Sequence, residues 1–188
     1  SGWNNAGDNL KLTPKTFTIC PNDSSGTTGI TFDGTYIWVV CHSGTGIVKV
    51  NRDTGAIISV NSSILVSPRL IVHADGYLYV TSDGTRGKVI DPSLFEGWGS
   101  GCVVSNLFEN MYTIYADGDY FWYRDGNNPN VKKKCSFTSE FEVGSSIDPT
   151  CITVSSIPSQ AQSPINSVYD GQYLWTTSGA GTITRTAQ

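Results

Sequence analysis

Apolar and polar residues alternate in short runs along this chain, and the runs recur in a fixed order. One run ends at Phe32, turns at Asp33-Gly34, and resumes as Tyr36-Ile37-Trp38-Val39. The same succession returns at Asp75-Gly76, Asp117-Gly118 and Asp170-Gly171. An Asp-Gly pair between β-rich runs predicts a hairpin, because a tight turn needs positive φ and glycine supplies it. A second turn follows each hairpin, at 43–46, 82–85, 125–128 and 178–181. Third strands are then predicted at 47–51, 88–91, 131–136 and 182–186. Fourth strands follow in three copies, at 56–60, 102–105 and 151–155. No stretch carries the 3.6-residue apolar period of a helix, so almost no helix is expected.

The Asp-Gly pairs are spaced by 42, 42 and 53 residues, which reads as a repeat with one insertion. Four short antiparallel strands per ~40 residues make one blade of a β-propeller. The expected fold is therefore all-β: a four-bladed β-propeller forming a single domain. The blades span about 28–61, 69–106, 111–156 and 164–188, with the insertion near 138–150. The last copy stops after its third strand. A strand-like run at 15–20, upstream of the first copy, is expected to complete that blade and close the ring, removing an exposed sheet edge. The chain begins at Ser1 and its single methionine is Met111, so a processed product or a piece of a longer polypeptide is expected.

Repeat position explains the most regular aromatics. Trp38, Tyr79, Trp122 and Trp175 share one position; Tyr36, Tyr77, Tyr120 and Tyr173 share another. Few blades means steep angles between sheets, and large side chains fill the wedge. The four turn aspartates are assigned to local backbone hydrogen bonds rather than to a ring of metal ligands.

The stretch Phe32-Asp33-Gly34-Thr35-Tyr36-Ile37-Trp38-Val39-Val40, continued by Gly44–Gly55, resembles blades of streptogramin-lyase-like and surface-layer-type propellers. Those families usually close six or seven blades. Their lyases use His and Glu residues with a metal ion. Here His42, His73, Glu96, Glu109, Glu140 and Glu142 fall in no matching motif, so the resemblance implies a blade type without the activity. Short propellers of related type are also similar to modules of phage tail and fibre proteins that contact host surfaces, which is an analogy of fold and composition.

Composition narrows the remaining possibilities. The 188 residues suit one core-bearing domain. Only 15% are charged and the net charge is −4, which argues against a nucleic-acid partner. Lys132-Lys133-Lys134 alternate across a strand and form no single patch. No apolar run is long enough to span a bilayer, so no membrane insertion is expected. Five cysteines have no Cys-x-x-Cys spacing, so a zinc site is not expected. They read mainly as small buried hydrophobes, with room for one or two disulfides between neighbouring strands.

No catalytic residue, metal ligand or cofactor is assigned. His73 sits two residues before Asp75 on an innermost strand, with Thr31, Tyr115 and Val168 as its repeat counterparts around the central channel. His73 and Tyr115 are thus candidate ligand contacts. Trp98, in a Gly-rich loop at 95–101, and Trp3 fall outside the blade pattern. A loop tryptophan stacks on a sugar or fills a partner's pocket. The insertion at 138–150 is a further candidate, since loops vary and carry function. Asn22-Asp23-Ser24 and Asn61-Ser62-Ser63 match the N-glycosylation pattern. The leading expectation is a non-enzymatic binding or assembly module, extracellular or on a virion or cell surface, contacting a protein or glycan, and part of a larger assembly. The alternatives are a small lyase- or lactonase-like propeller enzyme acting at the channel, and a structural spacer of a filament or tail.

Overall fold

The computed structural model describes residues 15–20, 26–42, 46–83, 87–96 and 99–106, and beyond them the strands named below. Beyond residue 106, side chains are described only at Ile114, Ala116, Ile183 and Arg185. Four sheets are present among these residues. The first contains β1 (Thr27–Phe32), β2 (Tyr36–Cys41), β3 (Gly46–Asn51) and β4 (Ile57–Asn61), antiparallel in that order. The second contains β5 (Pro68–Ala74), β6 (Tyr77–Ser82), β7 (Lys88–Ile90) and β8 (Val103–Asn106). The third contains β9 (Met111–Ala116), β10 (Tyr120–Asp125), β11 (Val131–Ser136) and β13 (Cys151–Ser156). The fourth contains β14 (Pro164–Tyr169), β15 (Tyr173–Ser178) and β16 (Ile183–Ala187). A two-residue strand, β12 (Ser145–Ser146), leaves the third repeat and adds to β8 in parallel. The one helical element among the described residues is a 3₁₀ turn, Pro92–Leu94.

The first strand of each sheet packs against the first strand of the next: β1 on β5, β5 on β9, β9 on β14. Between the first two sheets this approach depends on Gly29. A Cβ there would stand 3.0 Å from Ile71 N and from Leu70 Cα, both backbone atoms. Thr28 Oγ1 donates to Pro68 O at 3.3 Å, and Thr31 Oγ1 accepts from His73 N–H at 3.1 Å. Two hydroxyls therefore satisfy backbone groups where the innermost strands meet without a shared ladder.

Among the described residues the larger buried cluster lies in the wedge between the first two sheets. Trp38, Val40 and Ile47 from one side meet Ile71, Leu78, Val80 and Ile90 from the other. The β7–β8 connection folds back into this wedge and inserts Phe95, whose ring meets Trp38 edge-on at 4.9 Å. The opposite face of the first sheet carries Val39, Cys41, Val48 and Val50, with Ile19 and Cys20 packed on them.

That last contact corrects the expected ring closure by residues 15–20. These residues form no strand, and the fourth sheet has three strands among the described residues. A disulfide joins Cys20 to Cys41, with Cα atoms 5.9 Å apart, and holds the segment to the first sheet. The ring of Phe17 lies over Gly55, where a Cβ would come within 2.2 Å of it. A covalent bond and apolar contact thus hold these residues where a hydrogen-bonded ladder was expected. The cysteines follow both parts of the expectation, Cys102 as a buried free thiol and Cys20–Cys41 as a disulfide, except that Cys20 lies outside any strand.

Candidate functional site

The turn aspartate is committed to folding. Asp33 Oδ1 accepts the N–H groups of Thr35 (2.7 Å) and Tyr36 (2.6 Å). Its Oδ2 accepts the indole N–H of Trp38 at 2.7 Å. One carboxylate thus shapes the turn and fixes the orientation of the core tryptophan. Partial burial pushes the Asp33 carboxyl up, but the Tyr36 N–H, the Trp38 indole, the Thr35 N–H and the charge of His73 together hold it below the usual aspartate range.

A second feature of this position recurs in three of the four repeats. Register places a cation opposite each tryptophan: Lys49 across from Trp38, Lys134 from Trp122, Arg185 from Trp175. Lys49 Nζ lies 4.2 Å from the centre of the Tyr36 ring and 5.3 Å from that of Trp38, within cation–π range. The second repeat differs on every count. Its turn is one residue shorter, so Asp75 itself takes φ 49° and Gly76 φ 78°. Tyr79 replaces the tryptophan, and Val89 stands opposite it. Burial, with the charges of Asp75 and Tyr77, pushes the Tyr79 hydroxyl far above the ordinary tyrosine range.

Of the residues predicted for a site, His73 lies on β5 beside Thr31, near enough to Asp33 to favour its charged form. Tyr115 is on β9, the next innermost strand, opposite Trp122. Trp3, Trp98 and, apart from Ser145–Ser146, the insertion at 138–150 lie outside the described residues. The residues flanking Trp98 serve the core: Phe95 is buried, and Gly99 O accepts from Asn61 Nδ2 at 2.8 Å. Asn61 is only 2% exposed, and its Oδ1 accepts from both the N–H and the Oγ of Ser63. The Asn61-Ser62-Ser63 pattern therefore marks a structural asparagine, inaccessible to a glycosyl group in the folded protein. Asn22-Asp23-Ser24 falls outside the described residues.

A different cluster emerges where the first two sheets meet, at the ends of β2 and β6. His42 Nε2 lies 3.2 Å from Asp83 Oδ2, and Arg69 pairs through Nε with Asp83 Oδ1. Two basic groups from two other chain segments thus converge on one carboxylate. Their surroundings are tied down. Asp83 N–H donates to Ser67 O at 3.0 Å, His42 N–H donates to Gly26 O at 3.3 Å, and Ser82 Oγ donates to Val66 O. Ser67 holds φ 52°, a left-handed conformation uncommon outside glycine, which the Ser82 and Asp83 contacts maintain. The result presents Val66, 71% exposed, beside half-exposed Arg69.

Sequence reasoning missed this cluster, although a signal was present. His42 and Asp83 are each the first residue after the second strand of their repeats, 41 residues apart. Equivalent positions in adjacent repeats are spatial neighbours, and here one is basic and the other acidic. Chemically the cluster is a neutralised, oriented and partly exposed set of polar groups beside an apolar side chain. Cys41, next to His42, is tied up in the disulfide and provides no thiol. Burial and the Asp91 charge push the Cys102 thiol up, against its own backbone hydrogen bond, which disfavours the reactive thiolate. Among the described residues no group of three His, Cys, Asp or Glu side chains is placed to hold a metal ion. Nor is any helix among them long and apolar enough to cross a membrane.

These sheets, with their first strands packed in succession, define a protein of β-propeller type. No family model matches the sequence, and no curated protein shows significant similarity to it. Solved structures do. A computationally designed protein, Ika4, superposes with a TM-score of 0.55 at 11% identity, over 87% of this chain and 92% of its own. A chain of the mitotic checkpoint complex gives 0.61 at 10% identity, over 86% of this chain and 50% of its own. Hydrazine synthase of Kuenenia stuttgartiensis gives 0.58 at 16% identity, over 95% of this chain and 49% of its own. This chain therefore spans about half the length of the last two and nearly all of the first. At these identities the likeness is one of fold.

Proposed function

We propose that this protein is a non-enzymatic binding or assembly module that works outside the reducing interior of a cell, on a virion or cell surface, and grips a protein partner. The observation that carries this reading is the preorganised patch of Val66, Arg69, His42 and Asp83. Its backbone is fixed by Ser82 and Asp83, and it sets an exposed apolar side chain beside a guanidinium. Arg with a rigid apolar neighbour is the kind of anchor that interfaces use, and rigidity lowers the entropic cost of binding. The Cys20–Cys41 disulfide supports an oxidising compartment. The checkpoint-complex neighbour supports a protein partner, since its fold operates within an assembly.

The same proposal includes the finer architecture: four blades closed into one ring. Three of the four junctions are the packed pairs β1–β5, β5–β9 and β9–β14. The fourth would join β14 to β1. Ile30 and Phe32 of β1 lie opposite Val39 and Ile37, on the apolar face of the first sheet, and are 69% and 46% exposed. Closure of the ring would bring the fourth sheet onto that face, which it leaves exposed in this structure. The nearly reciprocal match to the designed protein supports a propeller of about this size.

The functional test uses labelled protein on an array of secreted and surface proteins and on a glycan array. Wild type is compared with Val66→Asp and Arg69→Glu, both confirmed folded by unchanged melting. The expected result is a protein target whose binding falls at least tenfold in both variants. A target bound equally by all three forms, or binding confined to glycans, would overturn the proposal.

A further inference from the structure

We infer that Cys135 and Cys151 form a second disulfide that closes the base of the connection carrying β12. The two residues are direct partners in the β11–β13 ladder, at the end of one strand and the start of the other. Directly opposed residues of an antiparallel pair have Cα atoms about 4.5–5.5 Å apart, inside the range a disulfide spans. Between them lies the insertion that lengthens the third repeat, near 138–150. Within it, Ser145 and Ser146 cross to the second sheet and pair with Ser105 and Asn106 of β8. The bond would therefore stand where an inter-sheet strap leaves and rejoins its own sheet.

The remaining cysteines favour this pairing. Cys20 and Cys41 are bonded to each other, and Cys102 is buried in the wedge between the first two sheets. The chemistry is thiol–disulfide exchange. Each cysteine loses its thiol proton, one Sγ–Sγ bond forms, and a small-molecule disulfide such as oxidised glutathione breaks, its two sulfurs leaving as two thiols. The inference stands independently of the proposed partner.

The test begins with the full chain equilibrated with glutathione disulfide, denatured without reductant and titrated for thiols. One free thiol is expected, and a peptide map is expected to link Cys135 to Cys151. Three free thiols, or Cys135 linked to any other cysteine, would overturn the inference. A second measurement uses Cys135→Ser/Cys151→Ser, which leaves the Cys20–Cys41 bond in place. Hydrogen exchange at Ser145, Ser146, Ser105 and Asn106 is expected to accelerate at least tenfold relative to the oxidised wild type. Unchanged exchange there would refute the claim that the bond secures the strap.

Discussion

The Trp38 indole donates its proton to Asp33 at 2.7 Å, across a turn whose backbone the same carboxylate organises. Local turn chemistry and core packing thus depend on one side chain. Asp33→Ala should cost about 2 kcal/mol, the value of hydrogen bonds to a charged group discounted for partial exposure. The pH dependence has a definite sign. The folded carboxyl titrates below its ordinary value of 3.8, so the stabilisation is complete above that value and is lost as pH falls through the folded one. Urea melts at pH 7 and pH 3 should show the gap between wild type and Asp33→Asn shrinking at the lower pH. A constant gap would remove the charge from the explanation.

Gly29 sets the distance between the first two sheets. Gly29→Val should destabilise by about 3 kcal/mol, the upper end of overpacking costs, because the new Cβ meets backbone that cannot rotate away. Exchange of the His73 amide, which Thr31 protects, should accelerate as well. Gly101→Ala is the control: its Cβ would enter open space, and its melting point should stay put.

The Cys20–Cys41 bond closes a loop with a sequence separation of 21 residues. By the chain-entropy estimate it contributes about 3 kcal/mol. In a background with Cys135 and Cys151 replaced by serine, Cys20→Ser should lower the midpoint of denaturation accordingly. Reductant should then have no further effect. If the single variant melted like its parent, residues 15–20 would not be anchored as described.

Much of this fold was legible in the chain because its repeats are governed by local rules. The Asp-Gly turn, the aromatic five residues after Asp33 and the alternating strands all follow from short-range geometry. What escaped was set between repeats. Nothing near residue 17 announces that Phe17 covers Gly55, or that Cys20 reaches Cys41. Phe95 reads as an ordinary loop residue until the wedge beside Trp38 is known. The parallel addition of Ser145–Ser146 to β8 involves two residues and carries no periodic signal. The His42–Asp83–Arg69 cluster lies between these cases. Two of its members share a repeat position, but Arg69 joins them only through the angle between sheets. The strand positions of His73 and Tyr115 followed from the repeat, whereas the polar convergence at the strand ends depends on how two repeats meet.

The proposed ring of four blades closes, if it closes, where β14 meets β1, and that junction is open to direct measurement. With methyl- and ring-labelled protein, a closed ring gives nuclear Overhauser contacts from Ile30 and Phe32 to protons of β14 or β15. It also predicts that a soluble paramagnet leaves Ile30 and Phe32 largely unbroadened. Absence of those contacts, with both residues strongly broadened, would contradict the closed ring.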